Sequence, residues 1–187
     1  MSRQDWLNEV CTRIGINEGI RYTLYTDSVG IPTIGIGFNM TRPDAREAFA
    51  KIGANYDACM AGATLTPAQV QSLFEYSFAP IEDQARASLE SPHYDLLSDA
   101  RRFVICDLVY NLGEGGWLGF TGTRALIDEA VHLEASKLFD QAHEKYGEAA
   151  DHLTASDWYS QVGDRAKRDC AMLRLSNWVD PNGNGGY

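Results

Sequence analysis

Two carboxylates and a threonine near the N-terminus have the residue types of a hydrolytic site. Glu18 precedes Gly19, Asp27 follows nine positions after Glu18, and Thr33 lies beyond Gly30. Glycoside hydrolysis needs one carboxyl group that donates a proton to the leaving oxygen, and one carboxylate that activates water or stabilises charge on the sugar ring. Burial keeps such a donor protonated by raising its pKa to roughly 6. A hydroxyl beside the second carboxylate can hold the attacking water.

The elements around these residues decide whether they can meet. Trp6–Ile16 has apolar residues at helical spacing and predicts a helix that ends near Gly15. Tyr22–Phe38 is rich in β-branched and aromatic residues interrupted by glycine and proline, which predicts short strands in a hairpin or small sheet. Asp27 and Thr33 then flank a turn. The pair alone is weak evidence, because the chain holds 26 acidic residues and a helix cap and a turn explain the same positions.

The remainder of the chain predicts helices. Thr66-Pro67-Ala68-Gln69 combines a capping box with proline at the first helical position, which predicts the start of a long helix that Pro80 can kink. Ser98 and Asp99 are expected to cap a buried helix, followed by a glycine-rich turn at Gly113–Gly119. Further helices are predicted at 43–52, at 124–146 with a break, at 156–161 and at 164–175.

This order of elements predicts an α+β, mainly helical fold with two lobes. The small β-containing lobe is expected at about 14–65, the linking helix at about 66–89, and the helical lobe at about 90–178 together with the N-terminal helix. A flexible tail is predicted at 180–187. A cleft between two lobes is where a ligand usually binds.

Composition and charge exclude several classes of function. The net charge of −10 disfavours nucleic acid, whose phosphates need clustered Lys and Arg. No stretch is long and apolar enough to span a membrane.

The N-terminus lacks the apolar centre of a signal peptide, so we expect synthesis in the cytoplasm and action elsewhere only after release or delivery. Four widely spaced cysteines and four histidines form no metal pattern. We expect buried thiols and no cofactor.

The window from Glu18 to Phe38 resembles the catalytic segment of the phage-type lysozymes, glycoside hydrolase family 24, the family of the T-even phage lysozyme. Glu18-Gly19, Asp27 and Thr33-Ile34-Gly35-Ile36-Gly37 match the family in residue and spacing. The similarity extends with insertions and deletions from Ile14 to Trp178, through the segments Leu65–Phe74, Arg101–Gly115, Gly119–Thr121 and Arg165–Arg168. It implies a two-lobed lysozyme-like fold.

The resemblance also implies roles for individual residues. Glu18 would be the general acid, while Asp27 and Thr33 would position and activate water. Arg165 matches an arginine that pairs with the catalytic glutamate across the lobes, although an exposed helical arginine is an alternative. The positions implied to contact the glycan are Gly37, Asn111 and Thr123. For Asn111, a helix-end cap is an equal alternative.

By the same resemblance, the substrate is bacterial peptidoglycan. The implied reaction is inverting hydrolysis of the β-1,4 bond between N-acetylmuramic acid and N-acetylglucosamine, with the carboxyl groups about 6.5–9.5 Å apart. The alternatives are a lytic transglycosylase, which needs only the acid, and a glycan-binding module that does not cut. A phage endolysin is the simplest setting, and a bacteriocin or a secreted effector domain would use the same residues. We expect a monomer that acts on the periplasmic or extracellular cell wall, without stable membrane insertion.

The sequence departs from the family in three ways. Phe38 stands where the family often has histidine, and Ser77 stands at the position of that histidine's acidic partner, which predicts apolar packing in place of an ion pair. The stretch 134–155 is longer than in short members. The acidic net charge leaves wall adhesion to local positive groups, for which we expect Arg101, Arg102, Arg165, Lys167 and Arg168.

Overall fold

The computed structural model describes residues 1–90 and 92–181, and in this part of the chain it is mainly helical with one small antiparallel sheet. The predicted α+β class is therefore confirmed. The chain divides into two compact units, Met1–Ala79 and Pro80–Tyr187. Most of the tail predicted at 180–187 lies outside the described residues.

The first unit contains the sheet and the N-terminal helix. Its elements are α1 (Arg3–Glu18), β1 (Arg21–Thr26), β2 (Pro32–Gly35), β3 (Phe38–Asn39), α2 (Ala45–Lys51), α3 (Tyr56–Met60) and the larger part of α4 (Pro67–Ala87). The strands pair antiparallel in the order β1-β2-β3. The strands predicted between Tyr22 and Phe38 are therefore present, whereas α3 was not predicted. The lobe boundaries near 65 and 90 stay predictions.

Helix α1 is longer at both ends than the hydrophobic pattern indicates. It begins after Ser2, whose side chain accepts a hydrogen bond of 3.1 Å from the amide of Asp5. It ends at Glu18, because Gly19 has φ 81° and ψ 154° and turns the chain into β1. Periodicity misses the last turn because the apolar side chains facing the core stop at Ile14, whereas the backbone hydrogen bonds continue to Gly19.

The predicted capping box starts α4. The amide of Gln69 donates to Oγ1 of Thr66 at 3.2 Å, and the amide of Thr66 donates to Oε1 of Gln69 at 3.0 Å. The helix continues through Pro80. In the first unit its apolar side stacks Phe74 on Phe78, with the ring of Trp6 6.1 Å from that of Phe78. These rings fix α1 against α4.

The second unit is helical in all its described secondary structure. After the end of α4 it contains α5 (His93–Leu96), α6 (Asp99–Leu118), α7 (Thr121–Ala135), α8 (Phe139–Thr154), α9 (Asp157–Val162) and α10 (Asp164–Leu175). The break expected between 124 and 146 falls at 136–138. Ser98 caps α6, and the segment Phe103–Val109 is buried.

The glycine-rich turn predicted at Gly113–Gly119 is wrong. Only Gly113 leaves the helical region, with φ 70° and ψ 163°, and the chain then resumes as helix to Leu118. Gly115 and Gly116 are helical because the amide of Gly119 bonds back to their carbonyls at 3.3 and 3.2 Å. One glycine at positive φ, rather than a run of glycines, changes the direction of the chain.

Candidate active site

The hairpin between β1 and β2 fixes Asp27 through the backbone of its own turn. Oδ1 of Asp27 accepts the amides of Val29 at 2.9 Å and Ile31 at 2.8 Å. The backbone of the turn closes between Asp27 and Ile31, with Gly30 at φ 87°. Asp27 is half-buried. Since both bonds end on Oδ1, Oδ2 is not taken by the turn.

Thr33 lies on β2, directly opposite Tyr25 of β1. Residues opposite each other in an antiparallel pair share a face of the sheet. Side chains two residues apart along a strand also point to the same face, so Asp27 lies on the face of Tyr25 and Thr33. The hydroxyl of Thr33 donates to the carbonyl of Ile31 at 3.0 Å, and the residue is 3 % exposed. With its proton committed, this hydroxyl can meet a further group only as an acceptor.

Glu18 is the last residue of α1, and its side chain is exposed. It therefore precedes β1, while Asp27 directly follows the same strand. The conformation of Gly19 makes this change from helix to strand possible within two residues.

Tyr25 is a residue that the sequence reasoning missed. Burial raises the pKa of its hydroxyl, and the negative charges of Asp27 and Glu18 raise it further, against the opposing charge of Arg21. Both candidate carboxylates thus lie within electrostatic reach of one phenol. The signal available in the sequence was strand alternation, which puts Tyr25 and Asp27 on one face.

The hairpin between β2 and β3 has the two-residue turn Ile36-Gly37. Gly37 is exposed and adopts φ 69°, a conformation that favours glycine. Phe38, at the position where the resemblance leads us to expect histidine, is buried with its ring 6.0 Å from that of Phe49. The hydroxyl of Ser77 donates to the carbonyl of Phe74 within its own helix at 3.0 Å. The predicted apolar packing at Phe38 is confirmed.

In the second unit, one face of α6 bonds to two neighbouring helices through Asp107 and the predicted residue Asn111. Nε and Nη2 of Arg165 on α10 donate to the two carboxylate oxygens of Asp107, at 2.7 and 2.9 Å. One helical turn further along α6, Asn111 accepts a bond of 2.8 Å from Nε1 of Trp158 on α9. Sequence reasoning missed Asp107, although a single acid inside an apolar helical run signals a buried partner.

Comparisons with known proteins identify the family of the chain. Residues 16–165 match the family model described as "Phage lysozyme". The chain belongs to the phage lysozyme family. It is also 30 % identical to a protein named "Endolysin" from Salmonella phage P22 over 115 residues, which cover 62 % of this chain and 68 % of the relative. A Dictyostelium discoideum protein named "Probable T4-type lysozyme 1" is 28 % identical over 84 % of this chain and 88 % of its own length.

Membership of the phage lysozyme family makes this protein an enzyme that hydrolyses peptidoglycan. The segment from Glu18 to Gly37 lies inside the matched range, as do Asp107, Asn111 and Arg165. None of the helices among residues 1–90 and 92–181 is long and apolar enough to cross a membrane.

Thr123 is not placed as a glycan contact requires. It lies on α7, and it is 2 % exposed. So little surface leaves almost nothing for a sugar to touch, because the side chain belongs to the core of the second unit. This observation argues against the predicted role of Thr123 in this lysozyme.

The second unit also has a cavity of about 580 Å³ that holds none of the predicted site residues. It lies beside α7, where Nδ1 of His93 is 2.8 Å from Oδ1 of Asp128. The lining of this cavity does not include Asn111 or Arg165, so its size does not indicate where the candidate catalytic residues lie. Among the described residues, no three His, Cys, Asp or Glu are grouped to hold a metal ion.

Two of the positive groups expected to help this lysozyme adhere to the wall, Arg101 and Lys167, bond to other residues of the protein. Arg101 is 3 % exposed and donates to Glu134 and to the carbonyl of Leu173. Lys167 bonds to Asp164 at 2.7 Å. The prediction is wrong for Arg101, since its guanidinium joins α6 to its neighbours instead of facing solvent.

Proposed function

We propose that this lysozyme is a muramidase that cleaves the β-1,4 bond between N-acetylmuramic acid and N-acetylglucosamine with inversion. The observation that carries the proposal is the hairpin between β1 and β2, which fixes Asp27 through its turn and puts it on the sheet face of Thr33. The charges of Glu18 and Asp27 both act on Tyr25 of that face. This arrangement supplies an acid, a carboxylate and an acceptor hydroxyl, which are the groups that an inverting glycosidase needs.

In the proposed step, one water lies between Asp27 and Thr33. It donates one hydrogen to Oδ2 of Asp27 and the other to Oγ1 of Thr33, so that its lone pairs point toward the anomeric carbon. As the water oxygen bonds to that carbon, its proton passes to Asp27. The bond to the bridging oxygen breaks, and that oxygen takes the proton of Glu18.

The exposed position of Glu18 implies that bound substrate completes the acid site. A donor carboxyl needs a desolvated environment, and Glu18 has an exposed side chain in the structure. We propose that a sugar ring covers it and that Arg165 pairs with it. We assign Gly37 and Asn111 to glycan binding, because Gly37 is exposed on a tight turn and Asn111 is an exposed amide at the end of the buried run of α6.

The test is turbidity clearing and reducing-end release on purified peptidoglycan by wild type and by Glu18→Gln. Removal of a general acid is expected to lower the rate at least about 100-fold. Glu75→Gln is the matched control, because it makes the same change at another glutamate of the first unit, outside the proposed site. Equal rates in the wild type and the Glu18 variant would overturn the assignment of the acid.

The products separate this proposal from its alternatives. A 1,6-anhydro end, detected by mass spectrometry, indicates a lytic transglycosylase rather than a hydrolase. Binding of peptidoglycan without new ends indicates a module that does not cut. An α-anomeric product at early times supports inversion, whereas a β-anomer overturns it.

We propose that the enzyme works on the bacterial cell wall as part of lysis, since one of its relatives carries the name "Endolysin". We further propose that it acts as a monomer, without stable membrane insertion, in the periplasm or outside the cell. Equilibrium sedimentation tests whether the protein is a monomer. Co-expression with a pore-forming protein tests where it acts, because the pore lets the enzyme reach the wall and lyse the cell from within.

A further inference from the structure

Three buried charged or acidic side chains form a cluster in the second unit. Asp107 of α6 is 0 % exposed and Asp169 of α10 is 2 % exposed. The side chain of Arg165 is 10 % exposed and donates two parallel hydrogen bonds of 2.7 and 2.9 Å to the carboxylate of Asp107. Asp169 follows Arg165 by four residues on α10, so both lie on the helix face that meets Asp107, with the carboxyl of Asp169 within hydrogen-bonding reach of Asp107. Oδ2 of Asp169 has no partner among the described residues.

The geometry determines where the proton of this cluster lies. Two carboxyl groups can hydrogen-bond to each other only if one carries a proton. Asp107 is the ionised member, because a bidentate pair with a guanidinium requires a carboxylate. Asp169 is therefore the acid that donates. Burial and the neighbouring charge of Asp107 raise the pKa of Asp169 well above its ordinary value, opposed by Arg165 and Arg168. With this proton, Asp107, Arg165 and Asp169 together are neutral.

The cluster also determines the orientation of Arg165. A guanidinium is planar, and Asp107 occupies the edge formed by Nε and Nη2, so Nη1 is turned away from α6. A charged group this buried would be costly without a fixed partner.

We propose that Asp107 and Asp169 are positioning residues of this lysozyme. The neutral acid of Asp169 holds the carboxylate of Asp107, which in turn holds Arg165 in the orientation that serves catalysis. The inference rests on the proposed function, in which Arg165 pairs with Glu18. It goes beyond that function by assigning a positioning role to Asp107 and Asp169, which do not contact the substrate in the proposed step.

The test is a double-variant cycle read as kcat and KM on purified peptidoglycan. Asp169→Asn should keep kcat within about threefold, because the amide donates the same bond. Asp169→Val should lower kcat by about tenfold or more at little cost in KM, because it removes a charge-assisted bond. In the Arg165→Met background, Asp169→Val should have no further effect, since its influence passes through Arg165. Asp164→Asn, the same change at an exposed site on α10, is the control.

Additive losses in the double variant, or an unchanged kcat in Asp169→Val, would overturn the inference. If Asp169→Val fails to fold, Asp107→Asn replaces it in the same cycle with the same expected non-additivity.

The shared proton can be tested without activity. The infrared spectrum of the native protein at neutral pH should contain the carbonyl band of a protonated carboxylic acid, which Asp169→Asn abolishes. Absence of that band overturns the inference by itself. A wild type that does not cut peptidoglycan but shows the band instead refutes the proposed function and leaves the shared proton established.

Discussion

At the scale of single residues, the hydroxyl of Thr33 can accept a hydrogen from water because its own proton is committed to Ile31. Thr33→Val keeps the shape of the buried side chain but removes the acceptor, so we expect a loss of about 10- to 100-fold in kcat. Thr33→Ser keeps the hydroxyl and should lose far less. Steady-state kinetics on peptidoglycan compares the three proteins, and equal activity of the valine variant would remove Thr33 from the site.

Asp169 makes a residue-scale prediction about stability. Its folded-state pKa is raised, so its contribution to stability is fully present below the unfolded pKa of about 3.9 and is lost as pH rises through the folded pKa. Asn at this position does not titrate. The free energy of unfolding of Asp169→Asn should therefore rise relative to that of the wild type as pH increases from about 4. Urea unfolding at a series of pH values measures the gap, and a constant gap would contradict the protonated state.

At the scale of elements, the short passage from α1 to β1 determines where Glu18 lies. Gly19, with φ 81° and ψ 154°, occupies a backbone region that is nearly closed to other residues, and no atom would meet an added Cβ within 4 Å. Gly19→Ala should cost about 1–3 kcal/mol of stability through backbone strain alone. The strain should also move Glu18 and lower kcat.

The control for this prediction is Gly62→Ala. Gly62 has φ 98° and equally open surroundings, but it follows α3 rather than a candidate catalytic residue. Thermal unfolding should show comparable losses in both variants, while peptidoglycan kinetics should fall only in Gly19→Ala. If both variants keep full activity, the exit from α1 is not what positions the acid.

The elements themselves were largely predictable, because their signals are local. The capping box at Thr66 and Gln69 and the bounds of α10 follow from residues within one or two turns of each end. The short helix α3 was missed because only Asn55, whose side chain caps it by accepting from Ala58, marks its start. At Gly113 composition misled, since one residue bends the chain and its neighbours stay helical.

The site was predictable only in part, for a related reason. Glu18, Asp27 and Thr33 fall within one short window, where spacing and strand alternation describe their placement. The pairing of Arg165 with Asp107 joins residues that are distant in the chain. The single acid in the apolar run of α6 signals that a buried partner exists, but no local pattern reveals which residue it is. Burial of Arg101 is equally invisible, because its acceptors are Glu134 and carbonyl groups of α10.

At the scale of the whole molecule, net charge governs how this lysozyme meets an anionic wall. The chain carries a net charge of −10, and Arg101 is withdrawn into the core. Long-range repulsion should dominate at low salt and be screened as the Debye length shrinks to about 10 Å at 0.1 M. Local attractions at the binding surface weaken as salt rises further. We therefore expect activity to depend on salt in a shallow or non-monotonic way.

A variant carrying Glu144→Lys and Glu148→Lys on α8 tests the charge effect, since each replacement adds two units of positive charge at an exposed site. The second replacement also removes the bond between Glu148 and Lys145, so Glu148→Gln, which removes the same bond with a smaller change of charge, is the matched control. It should exceed the wild type at low salt and decline steadily as salt is added, because attraction is now what salt screens. Lysis rates on whole cell walls across a salt series measure both curves. Soluble glycan fragments, which are too small to present an extended anionic surface, should show nearly the same rate in both proteins. A steep, continuous loss with salt in the wild type would mean that a positive surface patch, rather than net charge, controls its approach to the wall.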